Sequence, residues 1–134
     1  MKLTTLLKVG TGLSLIALTF GQCTSGSDKL QQQLKAEVDA LNKQCPQTVS
    51  TTLRIDSCVL LKNNDMQYYY TYTDTASFDT LQFEDEIVAT AKELTKNDPG
   101  MAEIRDNGLT NEYIYRDLKG NTIYRFKITP QDYR

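Results

Sequence analysis

Histidine is absent from the 134 residues of this chain. With it go Ser-His-Asp and Cys-His catalysis, most zinc sites and the side chain that ordinarily moves protons near neutral pH. Three cysteines remain as nucleophiles, Cys23, Cys45 and Cys58. None belongs to a Cys-x-x-Cys pair and no general base is recognisable beside them, so structural, disulfide-forming or covalently modified roles are expected. Glu84, Asp85 and Glu86 could suggest metal or acid/base work, yet consecutive helical residues point in different directions, and acid in an early turn is already explained by the helix dipole. Asp117 to Asn121 is too short for an EF-hand and reads as a glycine-containing hairpin turn. The expectation is a chain that is not an enzyme and carries no metal and no cofactor.

The tyrosines are the other candidate. All eight, Tyr68, Tyr69, Tyr70, Tyr72, Tyr113, Tyr115, Tyr124 and Tyr133, fall on or beside segments that read as strands. Tyrosine has a large apolar body and a polar tip, which suits recognition surfaces and half-buried sheet faces alike. Alternation through Met66 to Thr73 puts Met66, Tyr68, Tyr70 and Tyr72 on one face, with Gln67, Tyr69, Thr71 and Thr73 on the other. Tyr69, Thr71 and Thr73 are therefore the candidate interaction face.

These residues must be positioned by a mixed set of helices and strands. Leu30, Leu34, Val38 and Leu41 form one stripe of a helix from Ser27 to Gln44, which Cys45 and Pro46 end. Leu53, Ile55, Val59 and Leu61 alternate with Arg54, Asp56, Cys58 and Leu60 in a strand, and Asn63-Asn64-Asp65 turns the chain into the tyrosine-rich strand. A second helix from Asp79 to Lys96 carries Phe83, Ile87, Ala91 and Leu94 on one side. Asn107-Gly108 precedes a strand from Leu109 to Arg116, which returns through a hairpin as Thr122 to Thr129. The expected fold class is α+β: a two-layer sandwich in the order α-β-β-α-β-β, with a four-stranded, mainly antiparallel sheet and helices on one face.

At the N-terminus, Lys2 and Lys8 precede an uncharged apolar run from Val9 to Phe20. This run is too short to span a bilayer and reads as an export signal. Its ending resembles the signal of bacterial lipoproteins, which implies a lipidated Cys23 as the new N-terminus; Phe20 and Gln22 depart from that pattern, and ordinary cleavage after Gly21 stays open beside it. Residues 1–22 are thus the expected signal peptide, residues 23–28 a polar tether and residues 29–134 one domain. Lipidation would also resolve the odd cysteine count, leaving Cys45 and Cys58 as either a disulfide or two buried thiols. All 17 acids but only 13 of the 15 Lys and Arg lie beyond the signal, about −4 in net charge. No basic field for phosphates and no basic amphipathic helix for lipid surfaces results, so no nucleic-acid partner is expected, and a membrane only through the lipid.

The ordered series Asn42 to Pro46 (NKQCP), Leu53 to Ser57 (LRIDS), Met66 to Tyr72 (MQYYYTY), Ile104 to Gly108 (IRDNG), Tyr115 to Asn121 (YRDLKGN) and Ile128 to Tyr133 (ITPQDY) resembles an uncharacterised family of small exported bacterial proteins. More loosely, a lipidated α+β domain is similar in architecture to the small pilotin lipoproteins that help secretins reach the outer membrane. The family brings no known activity; the expected function is a non-catalytic accessory or interaction protein of the bacterial envelope, anchored by lipid and binding a protein partner through an open sheet face or an edge strand. The alternative is a soluble exported inhibitor or immunity-like binding protein, periplasmic or secreted.

Overall fold

A computed structural model describes residues 26–74 and 79–134. The expected signal peptide, Cys23 and the first half of the tether lie outside the described residues. Helix α1 (Gly26–Gln44) forms on the leucine stripe, with Asp28 in its first turn and Lys43 in its last, where each sign suits the helix dipole. Leu34 and Val38 are buried by it, and the residues 26–28 of the expected tether fall in its first turn.

Among the described residues five strands follow, β1 (Gln47–Thr48), β2 (Leu53–Leu60), β3 (Met66–Tyr72), β4 (Asn111–Arg116) and β5 (Thr122–Ile128), side by side in that order. Between β3 and β4 the chain passes through α2 (Thr80–Phe83), a π-helical turn (Glu84–Val88), α3 (Ala89–Asn97), a 3₁₀ turn (Pro99–Met101) and α4 (Ala102–Asn107); α5 (Pro130–Tyr133) follows β5. Two features correct the expected four-stranded, mainly antiparallel sheet. Just after the Cys45–Pro46 bond, Gln47 and Thr48 add the short β1, pairing with Ile55 and Arg54; two residues carry no periodicity to read. The central pair, β3 and β4, is parallel, because a helical crossover returns the chain to the starting end of β3, which no hairpin can do. The sheet is therefore mixed, and α-β-β-α-β-β matches it only in part.

A third difference lies within β2. Its pairing with β3 skips from Ile55 opposite Tyr70 to Ser57 opposite Tyr69, leaving Asp56 as the extra residue of a bulge. Unbroken alternation expects Val59 to face in and Cys58 out. The bulge reverses this, so Cys58 is 2% exposed and Val59 41%. Asn42 of α1 secures the backbone there: its Nδ2 donates to the Cys58 carbonyl at 2.8 Å and its Oδ1 accepts from the Cys58 N–H at 2.7 Å.

The core lies between the helices and one sheet face, where Leu34, Val38, Ile87, Ala91, Met101 and Ile104 meet the inward strand residues. Aromatic rings fill its centre. Parallel register sets Tyr68 against Tyr113 and Tyr70 against Tyr115, stacked with centroids 5.2 and 4.9 Å apart, and Tyr113 continues onto Phe126 at 5.0 Å. Phe83 meets Tyr115 edge-on at 4.6 Å. Each such pair adds about 0.5–1.5 kcal/mol to the burial of its area.

Side chains close the ends of the crossover. Arg105 Nη1 donates to the Thr95 and Asp98 carbonyls, both at 2.7 Å, capping the end of α3. Tyr133 donates its hydroxyl to the carbonyl of Leu109 at 2.7 Å, fixing α5 under the entry to β4. Gly108 ends α4 with φ of 63° in the left-handed region, and its N–H bonds back to Arg105. Gly108→Ala is expected to lower unfolding stability by about 1–2 kcal/mol, the cost of holding an L side chain in that conformation, with a smaller loss for Gly108→Asn; denaturant unfolding of the two variants measures the difference.

Candidate functional site

The sheet face opposite the helices presents a lattice of polar side chains that follows from register. Across β3, β4 and β5 the rows are Gln67–Glu112–Lys127 and Tyr69–Ile114–Arg125, with Thr71 beside Arg116 at one end. From β2, Arg54 stands beside Thr71, Ser57 beside Tyr69 and Val59 beside Gln67. The bulge turns the Asp56 carboxylate onto the same face.

Two carboxylates organise it. Asp56 accepts from the Thr71 hydroxyl at 2.5 Å and from Arg54 Nε at 2.6 Å, and Arg116 Nη2 lies 3.3 Å away. Burial pushes its pKa up, but the Thr71 and Arg54 hydrogen bonds and the arginine charges outweigh that and hold it below the usual carboxylate value. Glu112 accepts from Gln67 Nε2 at 2.7 Å and from Arg125 Nη2 at 2.6 Å. Here too burial raises the pKa, and the Gln67 and Arg125 hydrogen bonds with the Arg125 and Lys127 charges bring it below normal. Tyr69 links the two halves: its hydroxyl donates to Gln67 Oε1 at 3.2 Å, and the Arg116 guanidinium lies over its ring at 5.0 Å from the centroid.

The residues expected on this face thus occupy three different settings. Tyr69 is half-buried at its centre, Thr71 is 5% exposed with its hydroxyl given to Asp56, and Thr73 lies exposed just past the end of β3. Tyr70 points the other way and is 3% exposed in the core. Asp56, Glu112, Arg116 and Arg125 escape sequence reading. Alternation around Tyr69 was visible, but Asp56 and Arg116 meet it only through the bulge and the parallel register, and Arg125 comes beside Glu112 through the β4–β5 pairing.

Other groups are placed for structure. Cys58 is buried and Cys45 half-buried, both as free thiols. Burial first, then the neighbouring Cys45, pushes Cys58 up to about 12, and burial followed by Asp56 also raises Cys45, so neither is poised as a thiolate nucleophile. Glu84, Asp85 and Glu86 are exposed in the π-helical turn. Among the described residues no three Cys, Asp or Glu side chains group as metal ligands. Asp117 accepts from the N–H groups of Lys119 and Asn121, which closes its own turn.

With this geometry in view, known proteins provide a comparison. Residues 27–124 match the family described as a domain of unknown function, DUF8479. The chain belongs to that family. The DUF8479 span takes in α1 through the start of β5, so Asp56, Tyr69, Glu112 and Arg116 fall inside it, while Arg125 and Lys127 lie just beyond. No sequence among the curated proteins matches the chain. Its fold is similar to that of a Pseudomonas aeruginosa protein described as secreted, at 10% identity and a TM-score of 0.68 over 84% of this chain and all of that one. It is also similar to two pilotins of type II secretion systems: EpsS of Vibrio vulnificus, at 16% identity and 0.57 over 95% of this chain and 96% of that one, and AspS of Vibrio cholerae, at 16% and 0.52 over 93% and 95%. At these identities the likeness is one of fold.

One titratable group sits away from the open face. Burial, with the nearby Glu103 carboxylate adding to it, raises Glu37 of α1 from 4.5 to about 7. A carboxyl whose folded value exceeds its unfolded one takes up a proton on folding. Its contribution is therefore full below 4.5 and is lost as pH rises through about 7. Thermal unfolding across that window should show stability falling toward neutral pH, and Glu37→Gln should flatten the slope.

Proposed function

We propose that this DUF8479 protein is a non-catalytic accessory protein of the bacterial envelope that binds a protein partner on its open sheet face. The observation that carries this reading is the Tyr69-centred lattice: an aromatic ring and several cations on a face whose neighbours already hold one another in place. Binding there requires little ordering of side chains, the usual cost of association. The pilotin-like fold supports an accessory role at a secretion assembly, and among the described residues no helix is long and apolar enough to cross a membrane. In this reading the signal peptide is removed before Cys23, and acyl chains on Cys23 hold the domain at the membrane. Mass spectrometry of the mature N-terminus tests the anchor. A lipid-modified Cys23 is expected, whereas an unmodified chain beginning at Gln22 would favour the soluble exported alternative.

The binding face is tested by pairing two tyrosines that point opposite ways. Tyr69→Ala should weaken capture of the envelope partner by about 2 kcal/mol, as loss of an aromatic anchor does, with only a small drop in melting temperature. Tyr70→Ala should cost about 3 kcal/mol of folding stability through the cavity it leaves. Full capture by Tyr69→Ala, or a loss matching its lost stability, would move the binding site elsewhere.

A further inference from the structure

We infer that the partner segment recognised by this face is acidic, an inference that rests on the reading of the face as the binding surface. Strands β2, β4 and β5 place four cations here, Arg54, Arg116, Arg125 and Lys127, against two carboxylates, Asp56 and Glu112. The face is thus net positive on a chain whose formal charge is −2. The two signs also lie at different depths. The carboxylate side chains of Asp56 and Glu112 are 16% and 9% exposed, whereas those of Arg54 and Arg125 are 43% and 59% exposed, and Lys127 is open to solvent. An approaching molecule meets the cations first.

The cations keep donors in reserve. A guanidinium carries five N–H groups. Arg125 directs Nε and Nη2 at one oxygen of Glu112, and Arg54 reaches Asp56 through Nε alone. Asp56 is shared between Arg54 and Arg116, so one carboxylate balances two guanidiniums. The remaining planar donors match a carboxylate in fork geometry. Arg125 and Lys127 are two residues apart on one strand, about 7 Å, which is also the repeat of alternate side chains in an extended peptide. An extended segment with acid at alternate positions therefore fits beside β5, the last strand of the sheet among the described residues.

The test is an NMR titration of the isotope-labelled protein with a peptide of alternating glutamate and threonine. The matched lysine–threonine peptide and vesicles of phosphatidylglycerol serve as comparisons. Amide shifts should change on β3, β4 and β5 with the glutamate peptide alone and weaken at high salt. The Arg125→Gln, Lys127→Glu double variant, if its spectrum keeps the native dispersion, should bind at least about tenfold more weakly. Should that variant prove unfolded, Lys127→Glu alone carries the comparison. Equal binding by the variant, an equal response to the lysine peptide, or a response to the vesicles without one to the glutamate peptide would overturn the inference, the last of these assigning the cations to a membrane surface. If partner capture depends on Tyr69 while the glutamate peptide is ignored, the acidic-segment inference falls and the binding face stands. If capture is also indifferent to Tyr69, both fall.

Discussion

The parallel pairing of β3 with β4 is the contact through which both faces of the molecule are organised. Residues 66–71 align with residues 111–116 one for one, so each alternating pattern is laid beside the other in phase. On the inner face this brings Tyr68 and Tyr70 onto Tyr113 and Tyr115, and the rings stack instead of merely sharing a core. On the outer face the same phase sets Gln67 against Glu112 and Tyr69 against Ile114. A slip of one residue would turn the tyrosines outward and bury Glu112 and Arg116 under the helices.

That register needs the crossover to end in the right place, and several unlike interactions hold it there. Arg105 gathers the last carbonyls of α3, Gly108 reverses the chain, and Tyr133 reaches from the C-terminal turn to the carbonyls of Ile104 and Leu109. Asp65, in the turn before β3, accepts from the Thr110 N–H at 2.8 Å and joins the two strand entries directly. Tyr133 is also part of the core; the others are contacts of polar groups. Their role is geometric, because unpaired backbone groups in the alternatives would be costly.

Functionally, the outer face gains its character from charges that neutralise one another incompletely. Asp56 and Glu112 hold the arginines by hydrogen bonds, and both carboxylates are less exposed than Arg54 and Arg125. In the proposed reading, such a surface makes selective, salt-sensitive contact with its partner.

The local elements were legible from residue order alone because they depend on short-range periodicity. The leucine stripe of α1, the inward face of Met66, Tyr68, Tyr70 and Tyr72, the Asn107-Gly108 stop and the second hairpin all lie where the spacing puts them. Tertiary structure decided what local spacing cannot encode. The bulge at Asp56 reverses the facing of Cys58 and Val59, since one extra residue in a strand shifts every later side chain by a face. The parallel pair joins residues 45 positions apart, and the short β1 exists only because β2 presents an edge to it. The Asp56 network depends on the bulge and the parallel pair, and the Glu112 network on the parallel pair and the second hairpin. Their members are ordinary charged residues in the sequence and become a site only when long-range register brings them together.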